Sequence, residues 1–217
     1  MRRIDRDTWE APPVEASPDD RRVRGALGGS LLLDRPEHRE FRDRITAFVD
    51  APGPLALEIG FDFGERLLGA ALANPEIRWL GCELRRIRVE EVAAVAPGNL
   101  LAVRADARTL LAALIPPGRL TYAYVMFPTP TLRPSHLLLT PDLVALLARA
   151  LGPTGVLHLA TDVPGMARLA ERLLAGWTPA AAPPTSPVLS RRERVCLRDG
   201  LPVYTRIGSP SWITPGT

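Results

Sequence analysis

Three short stretches carry residue types that could do chemistry on a ligand. "EIGFDFG" (58–64) sets an acid two residues before Gly60 and follows it with Gly64, Glu83 closes the run "RWLGCE" (78–83), and "ADA" (105–107) places Asp106 beside Ala107. Glycines let backbone approach a ligand and let a helix start close by. A carboxylate at Glu83 can accept both hydroxyls of a ribose, and Asp106 with Ala107 is placed to meet an adenine ring and its amino group. Together they point to an adenosine-containing cofactor. Glu58 favours S-adenosylmethionine over a dinucleotide, because a carboxylate there attracts a cationic methionine end and repels a pyrophosphate. The competing reading of Glu58 is a salt bridge to a neighbouring helix.

These stretches need a scaffold that brings them to one edge. "LALEIG" (55–60) is a short apolar run ended by glycine, the pattern of a buried parallel strand and a turn, and "ERLLGAALAN" (65–74) has helical spacing. The alternation continues with strands at 78–83, 100–105, 121–127 and 155–161 and helices at 85–96, 107–114, 140–151 and 165–176. Thr140 is the expected N-cap of its helix, with Pro141 at the first position. The pattern predicts a doubly wound, Rossmann-like α/β fold, with ligands beyond the carboxyl ends of the strands. "TPAAAPPTSP" (178–187) reads as a loop. "VLSRRERVCL" and "LPVYTRI", separated by "RDG", read as an antiparallel C-terminal hairpin that completes a seven-stranded, mostly parallel sheet. Residues 1–30 read as a mobile or loosely packed arm and 31–217 as a single domain, with the regular pattern starting at Leu55.

The charge balance narrows the partners only slightly. All 27 basic residues are arginines against 24 acids, for a net charge of +3. Arginine forks onto phosphate, so the excess admits a nucleic acid without requiring one. Two cysteines and three scattered histidines support neither a disulfide framework nor a metal site. A charged N-terminus without an apolar h-region, and no long apolar stretch, give the expectation of a cytoplasmic protein. Monomer and dimer are both open. Trp79 and Cys82 read as core, and Trp177 and Trp212 as cover for the sheet edge.

Taken together, "LEIGFDFGERLLGAALANPEIRWLGCELRRIRV", "NLLAVRADARTLL", "VMFPTP", "GVLHLATD" and "SRRE" resemble the bacterial tRNA (guanine-N7)-methyltransferases, collinearly over residues 55–207. The resemblance implies a class I methyltransferase fold, S-adenosylmethionine as donor and N7 of a guanine in tRNA as acceptor. It matches Gly60, Gly64, Glu83, Asp106 and Ala107 to cofactor contacts, and Asp162, Ser190 and Glu193 to the acceptor side. Arg133 and His136, in the loop after the fourth strand, survive from the family's pattern and are candidates for substrate binding, with a structural role beside the leucines as the competing reading of His136.

Two departures bear on activity. Asp62 stands where the family has the middle glycine of its turn, and its carboxylate is expected near that of the cofactor. In "FPTPTLRPSHLLLT" (127–140), Thr129 replaces an aspartate, Thr131 a tryptophan, and "LLLT" the usual basic residues. Guanine N7 carries an exposed lone pair, so its methylation needs placement rather than a general base. Thr129, Asp162 and Glu193 are the residues left to place it. The leucine run could bury against the core or line an apolar pocket, which admits a small nitrogen heterocycle as acceptor, and Asp62 with Thr129 admits a non-catalytic cofactor-binding protein. Arg191, Arg192, Arg194 and Arg198 are candidate replacement phosphate contacts or a solvated face.

Overall fold

The computed structural model describes residues 4–13 and 39–211. Helix α1 (Arg39–Asp50) leads into β1 (Leu55–Ile59), and strands and helices then alternate: α2 (Glu65–Ala73), β2 (Arg78–Glu83), α3 (Arg86–Ala93), β3 (Leu100–Arg104), α4 (Ala107–Ala113), β4 (Tyr122–Met126), α5 (Pro141–Leu151), β5 (Val156–Thr161) and α6 (Pro164–Leu173). The two-residue strand β6 (Thr178–Pro179), α7 (Arg191–Asp199) and β7 (Tyr204–Ser209) complete the chain order. The sheet runs β3-β2-β1-β4-β5-β7-β6, parallel except for β7, which is antiparallel to both β5 and β6. The order reverses between β1 and β4, which opens a crevice at their carboxyl ends.

Strand alternation sorts β1 onto two cores. Leu55, Leu57 and Ile59 join the larger cluster with Val125 and Leu159, while Ala56 faces Trp79 and Tyr124 on the other side. Trp79 is fully buried and stacks on Tyr124 with ring centroids 5.4 Å apart, and Cys82 is buried, both as expected. The Thr140 hydroxyl accepts the amide of Leu143 at 3.3 Å and Pro141 opens α5, as the sequence indicates. Leu137 and Leu139 are fully buried in the core. The leucine run therefore binds the loop to the core more than it lines a pocket.

Three features differ from the sequence reading. The segment taken as the first hairpin strand is helix α7: Ser190 accepts the amide of Glu193 at 3.2 Å, Glu193 accepts the amide of Ser190 at 2.6 Å, and Gly200 caps the other end in the left-handed conformation. This reciprocal cap satisfies two orphan donors and outweighs the Asp-Gly turn signal. The antiparallel C-terminal pair is instead β6 with β7. Helix α1, which the sequence reading does not assign, buries Ile45 and Val49. Residues 4–13, within the expected arm, lie against the domain with Trp9 only 3% exposed. Trp177 packs partly buried against the core. Trp212 and residues 14–38 lie outside the described residues.

Candidate active site

The turn after β1 takes its shape from three residues with positive φ: Gly60 (73°), Asp62 (51°) and Gly64 (75°). A side chain at Gly60 would meet nothing within 4 Å, whereas a Cβ at Gly64 would lie 2.2 Å from Val92 Cγ2. Gly60 thus leaves the cleft wall open, and Gly64 lets α2 start against α3. Asp62 tolerates the left-handed region better than most residues. Its carboxylate bonds Arg85 Nη2 at 2.5 Å, so a cation offsets the charge that the sequence places near the cofactor.

Glu83 ends β2 with its carboxylate held by the amides of Leu84 (2.9 Å) and Arg85 (3.0 Å) and by that of Asp62 (3.3 Å). Asp106 caps α4 through the amide of Arg108 at 2.8 Å, and Arg108 reaches across to the carbonyl of Leu137, tying the end of β3 to the loop after β4. Glu58 is buried and accepts Arg66 Nη1 at 2.7 Å, the helix-facing ion pair anticipated as its alternative role. Burial pushes its carboxyl above the usual range, and the Arg66 charge only partly opposes this.

A cleft of about 710 Å³ crosses the ends of the strands. Glu58, Gly60, Glu83, Asp106 and Ala107 line one side, and Thr129, His136, Leu138 and Ser190 line the other, with Phe127 between. Phe127 has φ 52°, an uncommon conformation for a bulky residue, and marks the start of the loop that carries Thr129. His136 ends a short 3-10 turn and is exposed at the cleft rim rather than buried beside the leucines.

Gly64, Arg133, Asp162 and Glu193 are not part of the lining. Arg133 is exposed on the outer loop. Glu193 is engaged by the cap of α7. Asp162, with a side chain 2% exposed, accepts Arg6 through both oxygens (Nε 2.8 Å, Nη2 2.5 Å) and Arg192 Nε at 3.0 Å. These two guanidiniums hold its carboxyl below the usual range despite burial, which acts the other way. Arg6 and Arg192 line the cleft in front of it.

Sequence reasoning did not single out Arg6, Arg85, Arg108 or Phe63. Phe63 lies under Arg88, 3.5 Å from guanidinium carbon to ring centroid, and under Arg191 at 5.2 Å, which joins the glycine turn to α3 and α7. A legible signal existed only for α7, in the Ser-x-x-Glu spacing of "SRRE".

The reversal of strand order, the glycine turn and the acids at the ends of β1, β2 and β3 define an α/β domain of methyltransferase type. A family model described as a putative methyltransferase matches residues 52–177. The crystal structure of the 16S rRNA methyltransferase KamB shares the fold with a TM-score of 0.56 at 18% identity, over 82% of this chain and 94% of that one. Precorrin-6y C5,15-methyltransferase from Geobacter metallireducens GS-15 does so with a TM-score of 0.52 at 16% identity, over 79% and 87%. The tRNA (guanine-N(7)-)-methyltransferase of Anaeromyxobacter dehalogenans (strain 2CP-C) is 38% identical over 172 residues, 72% of this chain and 86% of that protein. That of Treponema pallidum (strain Nichols) is 35% identical over 150 residues, 63% of this chain and 60% of its own length. The chain belongs to the tRNA (guanine-N7)-methyltransferase family. It spans about 60% of the length of several of these relatives.

Proposed function

We propose that this chain transfers a methyl group from S-adenosylmethionine to N7 of a guanine in tRNA, in the cytoplasm. The observation that carries the reading is that one cleft gathers the ends of β1, β2 and β3 with arginines from outside the sheet. Gly60, Glu83, Asp106 and Ala107 line it from the strand ends, where Arg85 and Arg108 pair with Asp62, Glu83 and Asp106, and Arg6, Arg191 and Arg192 line it from the N-terminal segment and α7. The strand ends suit a hydroxyl-bearing donor and the outer arginines an anionic polymer.

The donor side fits the cofactor. Gly60 leaves open wall, Glu83 offers a carboxylate fixed by backbone amides, and Asp106 and Ala107 stand at the end of β3. When bound, S-adenosylmethionine supplies a methyl group on a sulfonium sulfur. Glu58 lines the cleft while its carboxylate is engaged by Arg66.

On the acceptor side the chain has placement to perform and no proton to remove, since N7 presents a lone pair. Thr129 and His136 border the space for the base, and Asp162 stands behind Arg6 and Arg192 as the acceptor for its donor edge. Glu193 acts as a positioning residue: its cap on Ser190 fixes α7 and with it Arg191 and Arg192. Arg191 and Arg192 compensate for the basic residues missing from "LLLT". With Leu137 and Leu139 in the core, an apolar pocket for a small heterocycle loses its main support.

The deciding experiment is transfer of labelled methyl to bulk tRNA from a strain lacking 7-methylguanine, followed by nucleoside analysis. Labelled 7-methylguanosine is the expected result. No label from protein that binds S-adenosylhomocysteine would overturn the reading.

A further inference from the structure

Arg6 occupies the carboxylate of Asp162 with two parallel N–H donors, Nε at 2.8 Å and Nη2 at 2.5 Å. A guanine presents the same pattern on its N1–H and N2–H₂ edge: two adjacent donors in one plane, spaced to fork onto a carboxylate. Arg192 approaches the same carboxylate at Oδ2 only, with both Nε, at 3.0 Å, and Nη2. Asp162 is thus doubly paired, its side chain 2% exposed, while Arg6 stands between it and the cleft with 30% of its own side chain exposed.

The segment that carries Arg6 is anchored independently of that side chain. Trp9 is buried, its indole Nε1 donates to the carbonyl of Thr131 at 3.1 Å, and its backbone carbonyl lies where a Cβ on Gly165 would come within 1.9 Å. Glu10 pairs with Arg168 on α6. The Arg6 side chain can therefore leave Asp162 while its backbone stays attached to the loop after β4 and to α6. From there it remains beside the acceptor side of the cleft, near where the phosphates of a nucleic acid would run.

We propose that Arg6 is a built-in stand-in for the acceptor base: it holds Asp162 in the resting enzyme and is displaced when a guanine places its N1–H and N2–H₂ donors on the same two oxygens. This rests on the acceptor reading given above. The exchange leaves the pairing of Asp162 intact at every stage, so a buried carboxylate is never left without a partner. It also makes Asp162 selective for a ring with two adjacent donors, because a base lacking the 2-amino group replaces only one of the two bonds surrendered by Arg6.

The test measures binding of guanosine by calorimetry, with S-adenosylhomocysteine present, to the full chain and to Arg6→Ala. A nucleoside carries no phosphate, so the lost cationic charge stays out of the comparison. Its affinity is expected to rise about three- to tenfold in the variant, because the base no longer competes with Arg6 for Asp162. Inosine should bind more weakly than guanosine to both proteins, by a similar factor, because the cost of displacing Arg6 is common to the two. Unchanged or reduced affinity for guanosine in the variant overturns the proposal and makes Arg6 a fixed structural partner of Asp162. Should Arg6→Ala fail to fold, Arg6→Lys gives the same readout, since an ammonium keeps the charge without the fork. A raised affinity without methyl transfer to tRNA would retain the stand-in and reject the tRNA acceptor, and methyl transfer with an unchanged affinity would do the reverse.

Discussion

Glu58 and Arg66 form an ion pair at 2.7 Å with both side chains only 4% exposed, and Arg66 also lies over the Tyr124 ring at 4.5 Å. In the sheet, Glu58 registers with Tyr124 and Tyr124 with His158, so a row of polar groups runs through an apolar face directly beneath the cleft. The Tyr124 hydroxyl donates to the carbonyl of Pro184 at 2.6 Å. Arg66→Met would leave Glu58 buried without its partner. A loss of about 3–5 kcal/mol in unfolding free energy is expected from urea denaturation. The double change Glu58→Gln with Arg66→Met should recover much of it.

The Asp62–Arg85 pair yields a prediction about cofactor affinity. Arg85→Ala leaves Asp62 only the 3.9 Å contact to Arg88 and takes a partner from Glu83, so binding of S-adenosylhomocysteine should weaken about tenfold. Asp62→Gly removes charge and strain together and should leave affinity equal or tighter. Calorimetric titration separates the two, and equal loss in both variants would sink the compensation argument.

Gly64 is required for helix packing rather than for ligand contact. With φ +75° and Val92 Cγ2 at 2.2 Å from an added Cβ, Gly64→Ala should cost about 2–4 kcal/mol. Truncating Val92 to Ala in the same chain removes the clash but not the backbone strain, and should restore about 1–2 kcal/mol of it. Gly60→Ala meets open space, so its cost should be strain alone, and its effect should show mainly in cofactor binding.

His158 links the polar row to pH. Burial, with the nearby Arg66 charge acting in the same direction, pushes its pKa down to about 4. The folded value lies below the unfolded value of about 6.5, so the unfolded chain binds more protons between them. The contribution is fully present above pH about 6.5 and is lost as pH falls toward about 4, in total about 1–3 kcal/mol. Thermal denaturation across that window should show the loss, and His158→Gln should flatten it.

Arg191 is exposed and its guanidinium faces Phe63 at the cleft. Arg191→Ala should weaken tRNA binding without altering which tRNA is preferred, and should lower the slope of log affinity against log salt by about 1. Filter binding at several salt concentrations measures both, and an unchanged slope would assign Arg191 to holding the glycine turn alone.

The strand and helix alternation, the glycine turn and the three acids were legible because each depends on local pattern. A buried parallel strand needs an unbroken apolar run, and a turn with positive φ needs glycine or a tolerant residue such as Asp62. Thr140 could be read as a cap for the same reason, and Ser190 with Glu193 offered an equally local signal that the competing Asp-Gly turn obscured. What tertiary structure decided is which charges meet. Arg6 and Asp162 are 156 positions apart, and Arg194 and Glu65 are 129 apart, so no spacing along the chain relates them. Whether Glu58 faces a ligand or a helix likewise depended on Arg66 arriving from α2. Local sequence fixes backbone preference over a few residues, but ion pairing is set by distance in space, and only the folded domain brings those side chains together.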